Sequence, residues 1–133
     1  MMIILDACAV IAFLRNEDGA DDVESALLSE ECFIHAINMC EVYKDCLSRG
    51  EDRNEADQLL DDLYGTGLLV REDMDANLWK EAAELKAQVK KISYADCIAL
   101  STSKRLNGVL YSSDHHELDS IAKNDVYSIH FIR

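Results

Sequence analysis

The stretch Ser93-Tyr94-Ala95-Asp96-Cys97-Ile98-Ala99-Leu100 reads as a helix with an acid on its apolar side. On a repeat of about 3.6 residues, Asp96 shares its face with Ile92, Ala99 and Leu100, so that face is expected to be buried. An unpaired carboxylate there costs several kcal/mol or takes up a proton, unless donors or a cation meet it. Three more acids stand at positions that can join it. Asp6 directly follows the apolar run Met2-Ile3-Ile4-Leu5, and Asp114 closes Val109-Leu110-Tyr111-Ser112-Ser113-Asp114. Glu41 comes three residues after Asn38, as Asp96 comes three after Ser93. Two unit charges about 4 Å apart repel by roughly 4 kcal/mol at an effective dielectric of about 20, so four clustered carboxylates need protons or a cation. Hard oxygen donors without histidine or cysteine suit Mg²⁺ or Mn²⁺.

Each acid also has a plainer explanation. A capping residue at Asn38 or Ser93 with an acid three positions on is the pattern of a capping box, worth about 1 kcal/mol without any function. A solitary aspartate after a strand, such as Asp6 or Asp114, serves turns and caps. The combination carries more weight: two acids at strand ends and two in first helical turns can converge on one rim, where positive helix N-termini favour their charged forms.

The elements that must position these acids follow from apolar periodicity. Strands are expected at Met2–Leu5, Cys32–His35, Leu68–Val70, Val109–Tyr111 and Val126–Ile132. Helices are expected at Ala7–Leu14, Asp21–Leu28, Met39–Leu47, Asn54–Tyr64 and Asn77–Lys90, then from the Asp96 segment to about Leu106, and at His116–Lys123. Gly50, Gly65-Thr66-Gly67 and Asn107-Gly108 are the punctuation between them. Short apolar strands alternating with amphipathic helices indicate an α/β layer structure with a mainly parallel sheet covered on both faces. In such sheets ligands bind beyond the carboxyl ends of the strands, where Asp6 and Asp114 fall.

Composition narrows the class. A chain of 133 residues without proline, 49% hydrophobic and 29% charged, suits one domain over residues 1–133 and argues against a disordered or linker-rich protein. Ala7–Leu14 is far too short for a membrane span, so a soluble, cytoplasmic protein with no membrane contact is expected. The five cysteines, odd in number and without close C-x-x-C pairs, read as reduced core residues. The net charge of −13 opposes binding to nucleic acid, with Lys44, Arg49, Lys104 and Arg105 the candidates for a local positive path.

Asp6 in "IILDACAV", Asn38-x-x-Glu41 in "INMCEV", Ser93-x-x-Asp96-Cys97-x-Ala99 in "ISYADCIALS" and Ser112-x-Asp114 in "LYSSDHHEL" together resemble the PIN-domain ribonucleases. Size and spacing are similar to the VapC toxins of toxin-antitoxin pairs, and the resemblance spans the chain. It implies a PIN-like three-layer α/β/α sandwich with a mainly parallel central sheet, Mg²⁺-dependent or Mn²⁺-dependent endonuclease activity on RNA, a cognate antitoxin that blocks the site, and a homodimer. It also implies that Asp6, Glu41, Asp96 and Asp114 are the catalytic, metal-holding quartet, with Asn38, Ser93 and Ser112 in support. Cys8 stands where many relatives carry a hydroxyl or amide residue. The implied chemistry is phosphodiester hydrolysis by a metal-activated water, with Asp6 and Asp96 holding one ion and Glu41 or Asp114 nearer a second.

Other signals are weaker. Asp73-Met74-Asp75-Ala76-Asn77 mimics a calcium loop but has Leu78 where the turn demands glycine, which makes Asp75 or Asn77 a helix cap. His115 and His116 fit an exposed helix start, Glu117 or Asp119 a solvated first turn or a peripheral fifth acid, and Trp79 a core or an interface. Glu51-Asp52 and Asp61-Asp62 read as solvated faces. Rival functions are a metal-dependent phosphatase, disfavoured by Cys8 in place of the second acid of D-x-D, a phosphorylatable receiver domain, which would want paired acids before its acceptor aspartate, and a PIN-like binding or regulatory module.

Overall fold

A computed structural model describes residues 1–133. Five strands, β1 (Met2–Leu5), β2 (Glu31–His35), β3 (Leu69–Arg71), β4 (Val109–Ser112) and β5 (Ile129–Phe131), form one sheet in the order β3-β2-β1-β4-β5, and every neighbouring pair is parallel. Seven helices connect them: α1 (Ala7–Leu14), α2 (Ala20–Ser29), α3 (Ala36–Ser48), α4 (Arg53–Gly65), α5 (Ala76–Gln88), α6 (Tyr94–Arg105) and α7 (His115–Ala122). The α/β reading therefore holds, and the sheet is wholly parallel.

Alternation along β1 divides the core. Ile3 and Leu5 join Cys32 and Ile34 under α1 to α4, whereas Ile4 and Leu110 meet Leu78, Leu85, Leu100 and Leu118 from α5, α6 and α7. Both faces of the sheet are thus covered, which is why its central strands are continuous apolar runs. Each fully buried leucine or isoleucine contributes about 1.5–3 kcal/mol. Gly108 opens β4 so close to β1 that an added Cβ would lie 2.6 Å from the Met2 carbonyl oxygen. That close approach fixes β4 beside β1, with Ile3 opposite Val109 and Leu5 opposite Tyr111.

The chain runs β1, β2, β3 outward on one side, then returns to place β4 on the other side of β1. This reversal is a topological switch point, and a crevice opens beyond the carboxyl ends of β1 and β4.

Several local expectations change. The last strand is three residues long, and Val126 is exposed. Trp79 is 48% exposed on α5, with the Lys80 ammonium over its ring, so it is outside the core. Cys40 is exposed and Cys8 half-buried, while Cys32, Cys46 and Cys97 are core residues as expected; all five are free. Asp75, and not Asn77, caps α5 by accepting the Leu78 N–H. Glu51 belongs to no solvated face, because its carboxylate accepts a hydrogen bond from Arg15 across the α1–α3 junction. The complete capping box is Asp52 with Glu55, at the start of α4.

Candidate metal centre

The crevice holds most of the acids marked out in the sequence. Asp6 caps α1: one oxygen accepts the Ala9 N–H at 2.9 Å, and the other, Oδ2, is buried without a partner. Asp96 stands in the first turn of α6, where Ser93 caps the helix by accepting the Asp96 N–H at 3.1 Å. Only 8% of Asp96 is exposed, and its Oδ2 is also buried without a hydrogen-bond donor. Asp114 caps α7 by accepting the Glu117 N–H at 3.1 Å, and the Ser112 hydroxyl accepts the Asp114 N–H at 3.0 Å. Ser112 is fully buried at the end of β4, so its hydroxyl both shapes the turn and keeps its own proton free for Asp6. Three helix N-termini converge here, each favouring negative charge.

Carboxylate oxygens of Asp96, Asp114 and Glu117 lie within 4.8 Å of one another. Glu117 is thus central, not peripheral. Its signal was present in Asp114-x-x-Glu117, the same cap-plus-three spacing that drew attention to Ser93 and Asp96. Glu41 lines the same cavity, of about 300 Å³, together with Cys8, Ser93, Asp96, Asp114, His116 and Glu117, but lies outside the close group of three. Asp6 also lies outside that group; it is buried, and its neighbours Ala7 and Cys8 line the cavity. Asp119 pairs with His115 at the surface.

Asn38 is not a cap. The helix begins two residues earlier, at Ala36, because His35 accepts the Ile37 N–H with Nδ1 while Nε2–H donates to the Asp73 carbonyl. Asn38 is instead fully buried inside the turn, and its amide donates to Glu41 at 3.4 Å and to the Ala95 carbonyl at 3.2 Å. It therefore ties the Glu41 helix to the residue preceding Asp96. Periodicity could not separate a cap from a buried first-turn amide, since both place a short polar residue three before an acid.

Burial dominates the electrostatics. Desolvation raises the Asp6 pKa from 3.8 to about 6 against the lowering pull of the Ser112 hydroxyl and Ala9 N–H, with Asp114 and Glu41 adding to the rise. Asp96 is pushed well above the ordinary carboxylate range, first by burial and then by contact with Glu117 and the charge of Asp6. Glu41 is raised by burial too, and partly held down by Asn38 and Lys44. The Cys8 thiol rises to about 12 for the same reasons, burial first and then the acids around it. Asp6 and Asp96 have no cation beside them, and Lys44 acts on Glu41 alone among these acids. Of the expected positive path, Arg49 is bound to Asp45 and Glu17, Lys104 to Glu81, and Arg105 to Asp73 and Asp75; only Lys44 is free of an ion pair. Two buried oxygens without donors, amid hard carboxylates and no neutralising side chain, fit a divalent cation such as Mg²⁺ or Mn²⁺.

The sequence matches the PIN domain family over residues 3–124. The chain belongs to that family. A search of curated proteins finds no match by sequence. Among solved structures, this PIN domain is similar to VapBC2 from Rickettsia felis bound to a promoter DNA fragment, with a TM-score of 0.73 and 16% identity over 98% of each chain. It is similar to VapBC-1 from nontypeable Haemophilus influenzae, with a TM-score of 0.75 and 17% identity over 99% of this chain and 98% of that one. It is also similar to Mycobacterium tuberculosis VapC20, a sarcin-ricin loop cleaving toxin, with a TM-score of 0.70 and 16% identity over 89% of this chain and 94% of that one. At these identities the likeness establishes a shared fold. No helix is long and apolar enough to cross a membrane.

Proposed function

We propose that this chain is a Mg²⁺-dependent or Mn²⁺-dependent endoribonuclease, the toxin of a VapBC-type pair, in one PIN-like domain over residues 1–133. The carrying observation is the group Asp96, Asp114 and Glu117, with the buried, unpartnered oxygens of Asp96 and nearby Asp6, in a chain of this family. Asp6, Asp96, Asp114 and Glu117 would hold the cation, and Glu41, which lines the same cavity, would serve as a further ligand or acceptor. A bound divalent ion supplies a water nucleophile at neutral pH and Lewis-acid stabilisation of the phosphate's developing charge.

The chain's own residues do the rest. Ser93 and Ser112 set the first turns that aim Asp96 and Asp114. Asn38 holds Glu41 to the α6 turn. The helix N-termini keep the acids ionised once the ion is in place. RNA is the substrate, and the relatives' VapBC complexes support a cognate antitoxin as partner. We further propose a homodimer acting in the cytoplasm.

The test is purified chain with Mn²⁺ or Mg²⁺ and a single-stranded RNA, alongside Asp96→Asn. Metal-dependent cleavage by the wild-type chain and its loss in the variant are expected. Undiminished cleavage by the variant overturns the assignment. Tight Mn²⁺ binding in calorimetry without cleavage would point instead to a PIN-like binding module.

A further inference from the structure

The acid cavity does not end at Glu41. Ala7, Cys8 and Glu41 also line a second groove, of about 410 Å³, that runs between α1 and α3. Its remaining wall is built by Ile11 from α1 and by Cys40, Lys44 and Asp45 from α3. Lys44 is the only lysine or arginine lining either cavity. It lies one helical turn beyond Glu41 on the same face, where i and i+3 are neighbours, and close enough to favour that glutamate's charged form. The other acid of the groove, Asp45, is already engaged by Arg49 at 2.9 Å and Arg15 at 3.6 Å. An exposed ammonium without a salt-bridge partner thus stands one helical turn from Glu41, in a groove that shares Ala7, Cys8 and Glu41 with the acid cavity.

Resting on the nuclease reading above, we infer that this groove is the subsite for the nucleotide next to the scissile phosphate, with Lys44 binding that nucleotide's phosphate. In a chain of net charge −13, a single-stranded nucleic acid gains from one unpaired cation placed where the strand leaves the acid cavity. Ala7, Cys8, Ile11 and Cys40 offer the base aliphatic and thiol surface. None of them has a strong hydrogen-bonding group to read a base edge, since a thiol is only a weak donor. The subsite therefore holds the strand in register and is indifferent to the base it carries.

The test is steady-state cleavage of a short single-stranded RNA by wild type, Lys44→Ala, Lys44→Arg and, as a distant surface control, Lys123→Ala, at several salt concentrations. Lys44→Ala is expected to raise KM about five- to tenfold with kcat within about twofold, and to flatten the dependence of log kcat/KM on log salt by about 0.7, the share of one phosphate on a single strand. Lys44→Arg retains near-wild-type KM, and Lys123→Ala changes nothing. Changing the base beside the cleavage point alters kcat/KM little. Wild-type KM and salt slope in Lys44→Ala, with the wild-type chain cleaving normally, overturn the subsite and leave the nuclease standing. A loss confined to kcat also overturns it, because Lys44 then acts through Glu41. Absence of any metal-dependent cleavage by the wild-type chain removes the nuclease reading itself, and the subsite with it.

Discussion

Two clusters of carboxylates in this molecule have opposite fates. Asp73 and Asp75, between β3 and α5, are gripped by Arg71 and Arg105: Arg71 reaches Asp73 at 3.0 Å, and Arg105 reaches Asp73 at 2.8 Å and also binds Asp75. Those guanidinium hydrogen bonds hold Asp73 down to about 2 and Asp75 lower still. Asp6 and Asp96, in the crevice, have no such partner, and burial drives both upward. The same side-chain chemistry is neutralised where the fold provides its own cations and left under strain where it withholds them. An acid cluster left without internal neutralisation, at a switch point and beneath three helix N-termini, is a place where an outside cation lowers the free energy.

Removing one buried charge breaks this contrast most severely. Asp96→Asn should lower metal-dependent cleavage about 10²–10³-fold, several kcal/mol of lost stabilisation. In EDTA at neutral pH the same variant should melt higher than wild type, because a neutral amide replaces a carboxylate that burial disfavours. Calorimetry and thermal melts check both, and a variant less stable than wild type without metal would argue against stored repulsion.

The next effect is in pH. With burial lifting Asp6 from 3.8 to about 6, the folded metal-free chain holds that proton more tightly than the unfolded chain does. Its stabilising contribution is complete below about pH 4 and disappears as pH rises through 6, a difference of about 3 kcal/mol. Asp73 behaves in the reverse sense, contributing above about pH 4 and losing its contribution as pH falls toward 2. Urea unfolding in EDTA should therefore show stability falling between about pH 4 and 6. Saturating Mn²⁺ should restore it at pH 7, and Asp6→Asn should flatten the slope.

A smaller loss follows from unfastening the acids' support. Asn38→Ala removes the amide that joins Glu41 to Ala95, and Mn²⁺ affinity by calorimetry should fall about 10–100-fold in protein that remains folded. The smallest effect belongs to the neutralised cluster. Arg105→Ala should lower the melting temperature by roughly a few degrees, since its partners are partly exposed, and should leave Mn²⁺ affinity unchanged. An equal loss of metal binding in both variants would show that the two clusters are not independent.

Each of the twelve elements is legible in the sequence, because apolar periodicity, glycine and asparagine stops and β-branched runs are local signals. Errors gathered where a local pattern has two tertiary meanings. Asn38 has the spacing of a cap, yet His35 takes that role and Asn38 turns inward. Glu117 reads as a solvated first-turn acid, yet α7 starts over the crevice and brings it to Asp96. Arg49, Lys104 and Arg105 look available for a polyanion, yet each is claimed by acids distant in sequence or a turn away.

The linear chain by itself determined that strands and helices alternate, that Asp6 and Asp114 end strands, and that Asp96 lies on a buried helical face, since each depends on neighbours a few residues away. Which acids from opposite ends of the chain share one crevice was decided only by the strand order β3-β2-β1-β4-β5. It sets β4 against β1, and so brings Asp114 close to Asp6. Convergence of that kind is a property of long-range packing, and so is the absence of a cation among the converged groups, because a carboxylate's partners are known only once every other side chain has been placed.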